Sequence, residues 1–144
     1  MVAYSEKLDP SQDDIDAVLA ALVASEDLAG RDAGHQPYSV LLSEQPGGPV
    51  IGGLYGYHIF DWLFIQYVAV PPGLQGHGIG RELMQRAEDW ARQRGIAGLW
   101  LDTFSFQARP FYEKLGFSVF GSIEDHPRGS RRHFMQKRLN GAPS

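Results

Sequence analysis

Between a stretch typical of a β-strand and one typical of an α-helix, the chain reads Gln75-Gly76-His77-Gly78-Ile79-Gly80. Alternating glycines let the backbone approach a bulky group closely, and a helix that begins here leaves its first amide N–H groups unpaired. The helix dipole strengthens the attraction of those amides for an anion, and Arg81 adds a full charge in the first turn. The segment predicts a phosphate-binding loop, and a tight turn without a ligand is the alternative interpretation.

Two common phosphate-binding motifs do not fit this loop. A dinucleotide-binding Gly-x-Gly-x-x-Gly motif that starts at Gly76 requires a third glycine where Arg81 stands. A P-loop that runs from Gly73 to Gly78 requires a lysine where Ile79 stands. Because each motif fails at a defining position, the phosphate belongs to another class of ligand.

A second segment further along the chain reads Ala108-Arg109-Pro110-Phe111-Tyr112-Glu113-Lys114-Leu115-Gly116-Phe117. Together with the glycine-rich loop, it resembles the Gcn5-related N-acetyltransferase (GNAT) family. The family's Gln/Arg-x-x-Gly-x-Gly motif is matched by Gln75, Gly78 and Gly80, and its Ala-x-x-Phe-Tyr-x-Lys-Leu-Gly-Phe motif by residues 108–117. The two motifs occur in the family's order, and the detailed resemblance covers residues 62–117.

The resemblance implies a mixed α/β fold and acetyl-CoA as co-substrate, without a metal. The central sheet is expected to be mostly antiparallel and flanked by helices, with fourth and fifth strands (62–70 and 98–103) that splay apart. The pantetheine arm is expected in that wedge, and the pyrophosphate on the amides of residues 76–81. Many members have Asn where this chain has Ser105, so that contact is expected to be shorter, water-mediated or missing. The expected acetyl-CoA contacts are Val68, Val70, Gln75, Gly76, His77, Gly78, Ile79, Gly80, Arg81, Ser105, Ala108, Phe111, Tyr112 and Lys114.

The pattern of apolar residues agrees with a single mixed α/β domain over residues 1–144. It predicts helices over 12–25, 78–94 and 108–115, and strands over 2–8, 38–43, 50–59, 62–70, 98–103, 117–122 and 133–139. Strands alternate with helices over 62–115, which indicates a βαβα core preceded by antiparallel strands.

Acetyl transfer to an amine requires a proton for the leaving thiolate, and Tyr112 matches the family position of the general acid. A tyrosine with an ordinary pKa of ~10 is protonated near neutrality; a tyrosine that only packs in the core is the alternative. The general base stays open because the strand over 62–68 carries no carboxylate. The catalytic candidates besides Tyr112 are His58 and His126, and the acceptor-binding candidates are His35, Tyr57, Asp61 and Gln66.

The middle strands are rich in aromatic residues. Packing within the sheet explains most of this enrichment. Because alternate residues of a strand face opposite sides, one set is also suited to form the wall of an acceptor pocket. The aromatic residues concerned are Tyr55, Tyr57, Phe60, Trp62, Phe64 and Tyr67.

Composition excludes several other classes of protein. The chain has 144 residues, with 13 Lys and Arg against 17 Asp and Glu, a net charge of −4 and no cysteine. The acidic balance disfavours nucleic acid and anionic membranes as partners. The absence of cysteine excludes a thiol nucleophile and fits the cytoplasm. No apolar run suits a membrane span, and no metal-ligand spacing such as His-Glu-x-x-His occurs.

We therefore expect a cytoplasmic N-acetyltransferase that moves an acetyl group from acetyl-CoA to a primary amine by direct attack in a ternary complex. A small-molecule acceptor is the preferred interpretation. Acetylation of a protein or peptide, at its N-terminus or at lysine, and a non-catalytic acyl-CoA-binding module are the alternatives. Residues 28–37, 58–62 and 123–132 are expected to select the acceptor, and exposed edge strands suggest a homodimer.

Overall fold

The computed structural model describes residues 1–25, 34–104 and 108–139. The chain divides into two compact units, Met1–Asp32 and Ala33–Ser144, and each has its own architecture.

Within residues 1–25, the described part of the first unit, the chain forms the helix α1 (Gln12–Ser25), as the sequence predicts. Its start is capped reciprocally: the Asp14 amide donates to Ser11 Oγ, and the Ser11 amide donates to Asp14 Oδ2, both at 3.0 Å. Lys7 Nζ lies 3.0 Å from the same carboxylate oxygen. The strand predicted over residues 2–8 is wrong, because this segment pairs with no strand in the described part of the chain. A strand requires a neighbour for its backbone groups, and weak alternation alone does not provide one.

The second unit is built on one six-stranded mixed sheet in the order β1-β2-β3-β4-β6-β5. All neighbouring strands are antiparallel except β3 and β4, which are parallel. This agrees with the expected fold class. The elements are β1 (Gln36–Ser43), β2 (Val50–Ile59), β3 (Trp62–Ala69), a 3₁₀ turn (Pro72–Leu74), α2 (Ile79–Gln93), β4 (Gly98–Phe104), α3 (Arg109–Lys114), β5 (Ser118–Glu124) and β6 (Arg131–Arg138).

Strands β3 and β4 separate soon after they begin. Their parallel pairing ends at Phe64, which lies opposite Trp100. In the pairing of β2 with β3, Tyr55 lies opposite Tyr67 but Gly56 lies opposite Ile65, so Gln66 is an extra residue. Such a β-bulge bends its strand. The predicted wedge between these two strands is therefore confirmed, and the bulge accounts for the change in direction of β3.

Helix α2 buries its apolar side chains in the core of the second unit. The members at most 5 % exposed are Leu54, Leu63, Ile65, Leu83, Met84, Ala87, Ala91, Ile96, Leu99, Leu101, Phe117, Met135 and Leu139. Burial of each large side chain contributes about 1.5–3 kcal/mol. Among the described residues, no helix has both the length and the apolar character that a bilayer crossing requires.

Lys137 of β6 connects helices α2 and α3. Its Nζ donates to Glu88 Oε1 of α2 at 2.6 Å and to the Leu115 carbonyl, just after α3, at 2.8 Å. Arg92 Nη2 also lies 2.8 Å from the Glu88 carboxylate. These contacts fix the C-terminal end of α3 relative to α2, and α3 carries Tyr112.

Candidate active site

The glycine-rich loop forms the start of α2, as the sequence predicts. Gly76 and Gly78 have φ values of 83° and 78°, in the left-handed region that glycine adopts without strain. Gly78 is the N-cap of α2 and offers no side chain to cap the helix. The amides of the first turn are consequently available to a ligand. Gln75 holds the loop against the residue that follows β3, since its Nε2 donates to the Val70 carbonyl at 3.1 Å.

A cavity of about 510 Å³, here called the loop cavity, opens beside these amides. A Cβ atom built on Gly76 or Gly78 would meet no atom within 4 Å, so the space over both glycines is open. Open space beside the amides of a helix N-terminus is suited to an anion such as a diphosphate. The lining residues are Val68, Val70, Leu74, Gln75, Gly76, Gly78, Ile79, Gly80, Arg81, Ala108, Phe111 and Tyr112.

A second cavity of about 500 Å³, here called the wedge cavity, lies where β3 and β4 diverge. It shares Val68 and Tyr112 with the loop cavity. The two cavities therefore adjoin each other at these two residues. The lining residues of the wedge cavity are Phe64, Ile65, Gln66, Tyr67, Val68, Ala69, Leu101, Asp102, Thr103, Phe104, Tyr112 and Arg132.

Tyr112 lies where the two cavities meet. Its ring contacts those of Phe111 and Phe117 edge-on, with centroids 5.1 and 6.0 Å away. Burial raises the pKa of the Tyr112 hydroxyl above its ordinary value, and the negative charge of Asp102 raises it further. The hydroxyl is thus a proton donor throughout the neutral range.

Asp102 and Arg132 form a salt bridge within the wedge cavity, and the sequence reasoning missed both. Arg132 Nε and Nη2 each lie 2.9 Å from Asp102 Oδ1. The guanidinium also lies over the rings of Phe104 and Phe134, at 5.7 and 5.3 Å from their centroids. Both Arg132 contacts go to the same oxygen of the carboxylate, Oδ1. Aspartate is depleted in strands, so the presence of Asp102 in a mostly apolar strand is the sequence signal that could have pointed to it.

Most of the predicted acetyl-CoA contacts line the loop cavity, Val68 and Tyr112 among them. His77 and Lys114 are exposed and line neither cavity. Ser105 lies outside the described residues. Of the predicted acceptor contacts, Gln66 lines the wedge cavity.

The other predicted catalytic and acceptor-binding residues line neither cavity. His58 pairs with Leu63, before the strands separate, and Val68 lies five residues further along β3, or about 16 Å. His126 is exposed, and its ring lies 5.7 Å from that of Phe104. The rings of His35 and Tyr57 contact each other, with centroids 5.2 Å apart. Asp61 is exposed in the β2–β3 turn. The described residues contain no group of three or more His, Asp or Glu placed to hold a metal ion.

Comparison with known proteins identifies the family. The chain matches the Acetyltransferase (GNAT) family over residues 6–117. It is 38% identical over 93 residues to blasticidin-S acetyltransferase of Streptomyces morookaense, which covers 64% of this chain and 68% of that protein. It is 37% identical over 90 residues to acetyltransferase Atu2258 of Agrobacterium fabrum, covering 62% and 66% of the two chains.

Solved structures agree with this result. A crystal structure of an acetyltransferase from Agrobacterium tumefaciens superposes with a TM-score of 0.87 at 28% identity, covering 96% of this chain and 100% of the other. Family match, sequence relatives, fold and site geometry agree. The chain therefore belongs to the Acetyltransferase (GNAT) family and is an acetyl-CoA-dependent N-acetyltransferase.

Proposed function

We propose that this enzyme acetylates the primary amine of a small molecule by direct attack in a ternary complex, with Tyr112 as the general acid. The observation that supports this proposal is that the loop cavity and the wedge cavity share Val68 and Tyr112. A ligand that extends from the glycine-rich loop into the sheet passes the Tyr112 side chain on its way.

Acetyl-CoA is expected to use both cavities. The first-turn amides of α2 and Arg81 bind the diphosphate, because donors and positive charge converge there. Beyond Phe64, strand β3 no longer pairs with β4. The backbone at Val68 and Val70 is therefore available to the pantetheine amides, which bind as an added strand does.

In the chemical step, the neutral amine attacks the thioester carbonyl, a C–N bond forms and the C–S bond breaks. Tyr112 donates its proton to the departing thiolate, whose conjugate acid has a pKa of about 8.5. The nitrogen loses one proton as the amide forms, and Tyr112 regains one from solvent or from that nitrogen. The products are the acetylated amine and CoA, and the enzyme returns to its starting state.

Asp102 is the proposed anchor for the acceptor. The carboxylate lines the wedge cavity, and the pKa of Tyr112 responds to its charge, so it acts within the same site. An ammonium that donates to Oδ2 is held beside the thioester. From its ordinary pKa, deprotonation of that ammonium at pH 7 costs about 4–5 kcal/mol. Water at the open cavity accepts the proton.

Direct transfer is favoured over a covalent acyl-enzyme. The chain has no cysteine. Ser122 Oγ lies 2.8 Å from His133 Nδ1, but His133 Nε2 lies 3.4 Å from Arg109 Nη1. Because a guanidinium only donates, Nε2 accepts a hydrogen bond from Arg109 and the Nδ1–H group donates one to Ser122 Oγ. A serine whose Oγ accepts a hydrogen bond from histidine, and does not donate one to it, is not activated as a nucleophile.

The acceptor panel is the decisive experiment. The enzyme is incubated with acetyl-CoA and, separately, with small primary amines, lysine-containing peptides and peptides with free N-termini. CoA release is measured with a thiol reagent, and products are identified by mass spectrometry. Acetylation of small amines supports the proposal. The relative named blasticidin-S acetyltransferase is named for a small molecule, which agrees with that outcome.

Other outcomes would contradict it. Acetylation confined to peptides makes the enzyme a protein acetyltransferase, and acetyl-CoA binding without any product makes it a binding module. A cytoplasmic location and a homodimer stay predictions, and light scattering on the purified protein tests the second.

A further inference from the structure

A lysine stands on the core-facing side of β6. Met135 and Leu139, two residues before and after Lys137, are 0 % and 4 % exposed, and alternate residues of a strand share a face. Across the β4–β6 pair, Lys137 lies opposite Leu99, which is buried as well. Lysine is rarely found among such neighbours unless its charge is paired. Lys137 lines neither the loop cavity nor the wedge cavity, and no step of the proposed mechanism uses it.

The amine of Lys137 is bonded both to a side chain and to the backbone. Nζ donates to Glu88 Oε1 at 2.6 Å and to the Leu115 carbonyl at 2.8 Å. The Glu88 carboxylate also accepts a hydrogen bond from Arg92 Nη2 at 2.8 Å, so this carboxylate keeps a cationic partner without Lys137. The hydrogen bond to Leu115 is therefore the one that connects Lys137 to the end of α3.

The turn that follows α3 packs along the Lys137 side chain. Gly116 has a φ of 98°, and a Cβ atom built there would lie 3.2 Å from Lys137 Cε and 3.4 Å from its Nζ. The Tyr112 carbonyl accepts hydrogen bonds from the amides of Leu115 and Phe117, at 3.0 and 3.1 Å. The turn that Lys137 holds is therefore bonded directly to the backbone of Tyr112.

Helix α3 is too short to fix the Tyr112 side chain by itself. It has six residues, and no side chain caps its start at Ala108. Helices of this length are not stable without tertiary contacts. At the start of α3, Arg109 Nη1 lies 3.4 Å from His133 Nε2, a longer contact than the 2.8 Å bond at its end. The bond at the end of α3 is therefore the stronger constraint on the position of Tyr112.

We propose that Lys137 is a positioning residue: by holding the turn after α3, it fixes the Tyr112 hydroxyl in the orientation from which this acid gives its proton to the thiolate. This inference rests on the proposed function, because Lys137 acts through the general acid assigned there. A displacement of a reacting group by about 1 Å can cost roughly 10²-fold in rate. Loss of the bond to Leu115 should therefore lower kcat and leave the acetyl-CoA site, which Lys137 does not line, largely intact.

Two substitutions in the same cluster separate positioning from stability. Lys137→Met keeps the length of the side chain but removes its donors, whereas Glu88→Gln removes an ionic partner and leaves the donation from Lys137 to Leu115 in place. Both should lower the midpoint of urea denaturation. Only Lys137→Met should lower kcat, by about tenfold or more.

The same experiment includes its own controls. The Kd for acetyl-CoA of Lys137→Met should stay within about threefold of wild type, and kcat of Glu88→Gln within about twofold. Because kcat is expressed per acetyl-CoA site counted by calorimetry, unfolded protein does not enter the comparison. Equal kcat values for Lys137→Met and Glu88→Gln overturn the proposal.

Two further variants of Lys137 test the role of its donors. Lys137→Arg retains donors at the end of the side chain and should restore kcat to within about threefold of wild type. A loss equal to that of Lys137→Met contradicts the proposal. Lys137→Gln, which is neutral and shorter, replaces Lys137→Met if the latter does not fold, and the same loss of kcat is expected.

A double variant tests whether Lys137 acts through Tyr112. In a Tyr112→Phe background, Lys137→Met should lower kcat no further, because the hydroxyl that Lys137 positions is already gone. A further loss of about tenfold in that background shows that Lys137 acts on another group, and it overturns the proposal.

A spectroscopic test does not depend on turnover, and it decides the inference even if Tyr112→Phe is fully active, a result that would refute the proposed acid by itself. The tyrosines are replaced by 3-fluorotyrosine, and the fluorine resonance that is absent from Tyr112→Phe belongs to Tyr112. The difference in its chemical shift between light and heavy water measures contact of the ring with solvent. This difference should rise about twofold or more in Lys137→Met, because α3 opens locally once its end is released, and stay unchanged in Glu88→Gln. An unchanged difference in Lys137→Met overturns the proposal.

Discussion

The hydroxyl of Tyr112 lies at the junction of the loop and wedge cavities, and its loss tests the proposed acid directly. The substitution Tyr112→Phe keeps the ring contacts with Phe111 and Phe117 but removes the proton donor. We expect kcat to fall about 10²-fold or more. Binding of acetyl-CoA, measured by calorimetry, should change little because the loop amides are untouched.

The pH profile provides the control for this prediction. Burial, with the charge of Asp102, raises the pKa of Tyr112 above its ordinary 10.0. The acid is therefore retained below pH 10, and any loss of kcat through its ionisation should appear only above that value. Wild-type activity in Tyr112→Phe would remove this residue from the mechanism.

At this scale the sequence predicts residues whose chemistry follows from local motifs. The glycines of the loop and Tyr112 are predicted as site residues because each motif is contiguous. Asp102 and Arg132 are 30 positions apart and meet through the β4–β6 pairing, in which Phe104 lies opposite Arg132. Nothing in the local pattern around either residue predicts that pairing, so the salt bridge became visible only in the structure.

At the scale of elements, the glycine-rich loop supplies a matched pair of substitutions. Gly78 lines the loop cavity, whereas Gly47 lies in the β1–β2 connection. Both have a φ of 78°, and a Cβ atom added at either position would meet no atom within 4 Å. Alanine at either position should cost about 1–2 kcal/mol of stability, because the left-handed conformation is strained for residues with a Cβ.

Only the substitution in the loop should affect the ligand. Gly78→Ala places a methyl group in the loop cavity and disturbs the amides that start α2, so we expect the Kd for acetyl-CoA to rise about tenfold, or ~1.4 kcal/mol. Gly47→Ala should leave this Kd unchanged. A similar Kd for both variants in calorimetry argues against a diphosphate at the loop.

The elements themselves were predictable where apolar periodicity was strong. Helix α2 is confirmed to within a residue, and β2 has the predicted bounds, Val50–Ile59. The bulge at Gln66 was not predictable, because an added residue leaves the composition of β3 unchanged and shows only in the register with β2. The strand predicted over residues 2–8 is wrong for a different reason. A local pattern carries no information about whether a partner strand exists.

At the scale of the whole molecule, the contacts of Lys137 join β6, α2 and the end of α3. Glu88 is 14 % exposed, and Lys137 is 23 % exposed. Glu88→Gln should lower the free energy of unfolding at pH 7 by about 1–3 kcal/mol, the usual cost of a charged hydrogen bond lost from a buried site. Denaturation with urea measures this change.

A control and a pH series make the prediction specific. Glu82→Gln removes the Glu82–Arg86 pair of the same helix, in which both side chains are more than 60 % exposed, and should cost less than about 0.5 kcal/mol.

Burial opposes ionisation of Glu88, but hydrogen bonds from Lys137 and Arg92 outweigh it and lower its pKa below 4.5. The stability this carboxylate provides is present above pH 4.5 and is lost as pH falls through the lowered pKa. The difference between wild type and Glu88→Gln should therefore shrink in acid, and a pH-independent difference would argue against the ion pair as its source.

Binding of acetyl-CoA tests how the two cavities work together in the folded protein. A ligand present at about 100 times its Kd stabilises the native state by about 2.7 kcal/mol, which for a chain of this size raises Tm by roughly 5–10 °C. Acetylpantetheine has the thioester and the arm but no diphosphate, so it reaches the wedge cavity without using the loop amides. At equal concentration it should raise Tm much less than acetyl-CoA, and the advantage of acetyl-CoA should diminish in Gly78→Ala but not in Gly47→Ala. Equal shifts for the two ligands in wild type would show that the loop contributes nothing to binding, because the diphosphate is the group that the open space and unpaired amides at the start of α2 are suited to hold.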